Sequence, residues 1–88
     1  MIAAVMITVK IAGTKNQCDM ELPADTPMKE LSPKFLMALK NIENDLFFNV
    51  GHIKIKSDDY DRYLTDEETF DSAGIWDGSI ITVERMVQ

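Results

Sequence analysis

Pro27-Met28-Lys29-Glu30-Leu31-Ser32-Pro33-Lys34-Phe35-Leu36-Met37-Ala38-Leu39-Lys40-Asn41-Ile42-Glu43 decides the fold. Leu31, Phe35, Leu39, Ile42 and, just beyond, Leu46 recur at gaps of 4, 4, 3 and 4, the spacing of one helix face. Lys29, Lys34, Lys40 and Glu43 fall mostly off that stripe. Thr26 stands where an N-cap is expected, with Pro27 at the first helical position. Pro33 is the awkward residue, because an interior proline removes a hydrogen bond and crowds the preceding turn. The pattern therefore predicts either a first turn ending near Leu31 with a fresh start at Ser32, or a kink. In both cases a helix runs from about Pro33 to Glu43.

The flanks read as strands. Upstream, Val5, Ile7, Val9 and Ile11 alternate with Met6, Thr8 and Lys10, predicting a strand over 4–11. Gly13-Thr14-Lys15-Asn16 is a turn cluster. After it Cys18, Met20 and Leu22 alternate with Gln17, Asp19 and Glu21, completing an antiparallel hairpin with one buried and one wet face. Downstream, 44–51 reads as a loop and His52–Lys56 as a strand, with Ile53 and Ile55 inward and Lys54 and Lys56 outward. Tyr63-Leu64 reads as a very short strand. Thr65-Asp66-Glu67-Glu68 is a capping-box pattern that predicts one helical turn. Ile75-Trp76-Asp77-Gly78 is a turn, and 79–85 forms the last strand, with Ile81 and Val83 inward. The order β-β-α-β-β-β puts the helix stripe on one face of a sheet. With the first and last strands side by side at the centre, this is an α+β, β-grasp arrangement: a mixed sheet of four to five strands with one main helix on one face. The predicted core is Ile7, Val9, Met20, Leu22, Leu31, Phe35, Leu39, Ile42, Ile53, Ile55, Leu64, Phe70, Ile75, Ile81 and Val83.

Composition bounds the function. Eighty-eight residues form one domain, 1–88. A net charge of −6 opposes binding to nucleic acid or to anionic lipid, which calls for surplus Lys and Arg. One cysteine, Cys18, and one histidine, His52, leave no disulfide framework, Cys-rich zinc site or Cys/His pair to spare. Cys18 falls on the inward face of its strand and reads as inert packing. The apolar head, Met1 to Ile7, lacks a preceding basic segment and is too short to span a bilayer, so the expectation is a cytoplasmic protein with no membrane insertion. No cofactor is expected, and no residue has a catalytic assignment.

Leu22-Pro23, followed by Pro27-Met28-Lys29-Glu30-Leu31, then Ile53-Lys54-Ile55 and the tail Phe70-Asp71-Ser72-Ala73-Gly74-Ile75-Trp76-Asp77-Gly78-Ser79-Ile80-Ile81, together resemble the ubiquitin-like β-grasp proteins. Within them the stretch is most similar to the YukD/EsaB group of Gram-positive type VII secretion systems. The resemblance spans about residues 5–85. It implies a non-enzymatic interaction protein, an accessory or regulator that binds a protein partner such as the cytosolic part of the secretion membrane machinery. Because a similar domain of actinobacterial systems pairs with itself, it also admits a homodimer. Conjugated relatives and sulfur carriers end in Gly-Gly; this sequence ends Arg85-Met86-Val87-Gln88, so conjugation is not expected. The alternatives are a β-grasp adaptor unrelated to secretion and a ubiquitin or sulfur-carrier-type carrier protein.

The candidate protein-binding residues are Lys54, Lys56, Trp76, Ile80 and Phe48. Lys54 and Lys56 face outward on a surface that ubiquitin-like domains use for partners, or serve only to solubilise their strand. Ile80 faces out by alternation. Trp76 either folds over the open end of the core or stands exposed beside Ile80 as a hot spot. Of Phe47 and Phe48, one is expected to plug the core and the other to be a contact residue. Asp58, Asp59, Asp61, Asp66, Glu67, Glu68, Asp71 and Asp77 stand against the lone base Arg62 between Ser57 and Asp77. That segment is either a steering face for a basic partner or a solvated loop. It is not an EF-hand: counted from Asp59, position six is Leu64 and position twelve Phe70.

Overall fold

The computed structural model describes residues 4–87. Met1–Ala3, the head of the apolar run, and Gln88 lie outside the described residues. Seven elements follow in order: β1 (Ala4–Ile11), β2 (Gln17–Pro23), α1 (Met28–Ile42), α2 (Asn44–Phe47), β3 (Val50–Ser57), β4 (Arg62–Tyr63) and β5 (Ile80–Val87). The strands form one mixed sheet in the order β2-β1-β5-β3-β4. β1 and β5 run parallel at its centre, and the other neighbours are antiparallel. This is the β-grasp arrangement that the strand and helix periods predict.

The hairpin register pairs Val5 with Leu22, Ile7 with Met20 and Val9 with Cys18, so one apolar face is continuous across both strands. Its turn is closed by Gly13 at φ 78, where a side chain would be strained, and by the Thr14 hydroxyl donating to the Ile11 carbonyl at 2.9 Å. That apolar face meets Met28, Leu31, Phe35, Leu36 and Leu39 of α1 in a single core, closed by Phe47, Phe70, Ile75, Ile81 and Val83.

Four expectations are corrected. First, of the two alternatives at Pro33 the restart at Ser32 is not taken: α1 is one continuous helix from Met28. Pro33 sits in its second turn, where only the Lys29 carbonyl loses a donor, and the buried stripe on either side holds the segment helical. Second, Thr26 does not cap it. Pro27 is the N-cap residue and makes no side-chain bond. The orphan amides of Met28 and Lys29 donate instead to the carbonyls of Glu68 and Asp66, at 2.9 and 3.0 Å. The cap thus comes from a loop distant in sequence. Third, Ile42 is 53% exposed although it keeps the phase of the stripe. It is the last residue of α1; the chain then turns through Glu43 into α2, and Phe47 fills the end of the core in its place. The 44–51 stretch therefore contains a helical turn instead of being loop throughout. Fourth, residues 65–68 form a turn and no helix. The Thr65 amide does donate to the Glu68 carboxylate at 2.9 Å, half of a capping box, but the next carbonyls are committed to capping α1. Met20 and Leu64, expected in the core, are partly buried and pack against it.

Candidate protein-interaction surface

The outward side of the sheet is a polar mesh. Lys54 lies opposite Glu84 in the β3–β5 ladder, and its Nζ sits 5.6 Å from the centroid of the Tyr63 ring, within cation–π range. The Tyr63 hydroxyl donates to the Glu84 carboxylate, which together with burial raises the phenol above its ordinary value. Lys56 is partly covered and pairs with Asp61 at 3.0 Å; that bond raises its pKa. Next to it the Thr82 hydroxyl donates to Asp58 at 2.6 Å, and Lys10 approaches the other Asp58 oxygen at 3.9 Å. Lys54 and Lys56 do face outward, as their alternation predicts, but each is already engaged within the sheet face.

The acidic segment is likewise partly neutralised from within. Glu68 binds the Arg62 guanidinium through two bonds, at 2.8 and 2.6 Å, and also accepts from Thr65. Those contacts, led by Arg62, hold its carboxyl at a pKa of about 2. Glu67 pairs with Lys29 of α1 at 3.2 Å.

Trp76 stands apart from this mesh. Its neighbour Ile75 is fully buried and anchors the turn, while Trp76 is 63% exposed. The Trp76 amide donates to the Ser79 hydroxyl, and the Ser79 amide donates back to the Trp76 carbonyl, both at 3.0 Å. The turn is then fastened to β1: the Met6 amide donates to the Asp77 carboxylate at 2.8 Å, and the Gly78 amide donates to the Met6 carbonyl at 2.9 Å. Of the two arrangements open to Trp76, the structure has the exposed one, on a turn hydrogen-bonded to β1. Ile80, half-buried, lies beside Thr8 in the β1–β5 ladder, and Met6 precedes Thr8 on the same outward face. Trp76, Ile80 and Met6 therefore gather at one end of the sheet. Met6 was missed from sequence; its outward phase in a strand was the available signal.

Phe48 is elsewhere. It is 69% exposed, while Phe47 is fully buried, the division expected of that pair. Phe48 precedes Val50, which pairs with Val87 at the far end of β5. An eight-residue strand separates it from Trp76, on the order of 25 Å. The five candidate residues thus fall into three places: Trp76 with Ile80, the lysines in mid-sheet, and Phe48 at the opposite end.

Residues 6–83 match the family model described as "WXG100 protein secretion system (Wss), protein YukD". The chain belongs to the YukD family. Among curated proteins none matches it in sequence. Its backbone is similar to the ubiquitin-like domain of the Mycobacterium tuberculosis type VII secretion system protein EccD1, with a TM-score of 0.74 at 23% identity over 94% of this chain and 99% of that one. The EccD5 ubiquitin-like domain from Mycobacterium xenopi gives 0.76 at 13% identity, covering 97% of each chain. A chain of the ESX-5 inner membrane complex gives 0.76 at 17% identity; there this YukD-family chain covers 99% of its own length but 22% of its counterpart. Ubiquitin of Caldiarchaeum subterraneum gives 0.66 at 20% identity over 97% of this chain and 96% of that one. At these identities the likeness is one of fold, and it is the ubiquitin-like β-grasp.

Among the described residues no helix is long and apolar enough to cross a membrane.

Proposed function

We propose that this YukD-family protein acts as one non-enzymatic ubiquitin-like recognition unit, serving a type VII secretion apparatus from the cytoplasm by docking on the cytosolic part of its membrane machinery. The observation that carries the reading is Trp76, exposed on a turn whose backbone is bonded to Met6, at the same end of the sheet as Ile80. A large exposed aromatic beside other apolar side chains is the residue type that dominates interface energetics. Phe48 and Lys54 are assigned to subsidiary contacts, because each lies away from that patch. The family membership and the ubiquitin-like domains of type VII secretion proteins among its structural neighbours support the secretion link.

The test is a crosslinked pull-down from the source cell, comparing wild type with a Trp76→Ala, Ile80→Ser variant whose melting curve matches. Recovery of secretion-machinery proteins by wild type alone supports both function and surface. Recovery by both proteins keeps the function and discards the surface. Recovery of an activating enzyme, or of no secretion component, overturns the secretion reading.

A further inference from the structure

One side of β3 has no strand against it for most of its length. β4 pairs with β3 only at Lys56 and Ser57, and just before them the Ile55 carbonyl accepts from the Leu64 amide at 2.9 Å on that side. In an antiparallel ladder the N–H and C=O of one residue point the same way, and alternate residues point oppositely. The next position on this outer side is therefore Ile53. The opposite side is fixed by the Asp58 amide, which donates to the Ile80 carbonyl of β5 at 3.1 Å. Among the described residues nothing bonds to the outward N–H and C=O of Ile53.

Alongside this edge runs an apolar groove between α1 and β3, of about 300 Å³, walled by Pro33, Leu36 and Met37 and by Ile53. Through Ser32 and Ile53 it continues into a second hollow of about 270 Å³ toward Tyr63 and Leu64. Met37 is 63% exposed on its wall. An open strand edge demands an extended backbone, and an apolar groove below it demands apolar side chains at every second position; together they specify an added β-strand. Charge narrows the occupant further. The protein is acidic overall, yet Lys40 lines the Gly51 end of the groove and forms no ion pair among the described residues. At the other end Lys54 is offset by Asp66, which lines the same hollow.

We propose that the β3 edge and the α1–β3 groove form a docking site for an extended segment of another protein, one with apolar side chains at alternate positions and a carboxylate that lies over Lys40. A second copy of the chain is the poorer occupant. The apolar side chains of its own strands are already turned into its core, and β3 against β3 would bring like charges together. The site is separate from Trp76 and does not depend on the secretion reading.

The probe is the capped peptide Glu-Thr-Val-Thr-Ile-Thr-Val-Thr-Glu, whose two terminal acids share the face of the apolar residues and so place a carboxylate near Lys40 in either strand direction. It is titrated into the purified protein by fluorescence anisotropy and by amide NMR. Expected are shifts confined to Gly51–Lys54 and Met37–Lys40, with exchange of the Ile53 amide slowed about tenfold near saturation. Lys40→Glu and Met37→Glu, both on the helix surface, should each weaken binding about fivefold with melting temperatures unchanged. N-methylation of alternate peptide amides in either register should abolish one of the two forms, since it removes the ladder donors. The proposal is overturned by no shifts at about 1 mM peptide, by shifts that map to β2 or to Trp76, by indifference to N-methylation, or by sedimentation showing the edge occupied by a second copy.

Discussion

The Arg62 guanidinium and the Glu68 carboxylate face each other through two parallel bonds, and the same carboxylate accepts from the Thr65 amide. Because the adjoining carbonyls of Asp66 and Glu68 cap α1, this pair positions the loop that starts the helix. Glu68 has its folded pKa near 2, below the ordinary value of 4.5. Its contribution to stability is therefore present above about pH 4.5 and is lost as pH falls toward 2. Thermal melts of wild type and Glu68→Gln should differ at pH 7 and converge over that interval. A gap that stays constant down to pH 2 refutes the assignment.

Two helix residues share a stripe but not a fate. Leu39 is fully buried, so Leu39→Ala should cost about 2–5 kcal/mol. Ile42→Ala, at an exposed helix end, should stay within about 0.5 kcal/mol. Urea denaturation of both variants checks the pair.

Phe47 and Phe48 make the same contrast in adjacent positions. Removing the buried ring with Phe47→Ala should cost about 3–5 kcal/mol, whereas Phe48→Ala should stay within about 0.5 kcal/mol. Equal losses in chemical denaturation would contradict the arrangement of α2.

Gly74 is required chiefly by its backbone conformation. It has φ 74, and a Cβ there would sit 2.8 Å from the Tyr60 hydroxyl oxygen. The exposed Tyr60 ring can swing aside, so the backbone conformation dominates, and Gly74→Ala should cost about 1–2 kcal/mol. In a double-mutant cycle, adding Tyr60→Ala should restore only a minor part of that.

Cys18 should alkylate slowly. Burial, and after it the carboxylates of Glu43 and Asp19, raise its pKa above the ordinary value and so reduce the reactive thiolate. Iodoacetamide labelling near pH 8 should lag behind that of the denatured chain; equal rates would argue against the packing of Cys18 on the core.

The strands and the helix were legible because their signals are local. Val5 to Ile11 alternates cleanly and Leu31 to Leu39 holds one helical phase, and both were buried as read. What was missed depends on distant partners. The start of α1 is fixed by carbonyls some forty residues away, and no capping rule applied to Thr26 could reveal that. Ile42 kept its phase but lay where the helix runs out. Leu36 and Met28 were left out of the core because a narrow stripe understates how widely a helix covered by a sheet is buried. Of the candidate surface, outward phase was legible for Lys54, Lys56 and Ile80. That Trp76 and Phe48 occupy opposite ends of the molecule depends on the direction and register of β5, which pairing alone determines.

The central place of β5 also governs how the molecule comes into being on the ribosome. The strand made last lies between β1, made first, and β3, and bonds to both. Until it has left the exit tunnel, the nascent hairpin and the nascent α1–β3 half have no common sheet. Each presents an open apolar flank until β5 emerges. Completion is then a late, long-range closure event, of the kind that is slow and exposed to misassociation. A chain stalled before Ile80 should be a client of chaperones and proteases, not a smaller version of the folded protein.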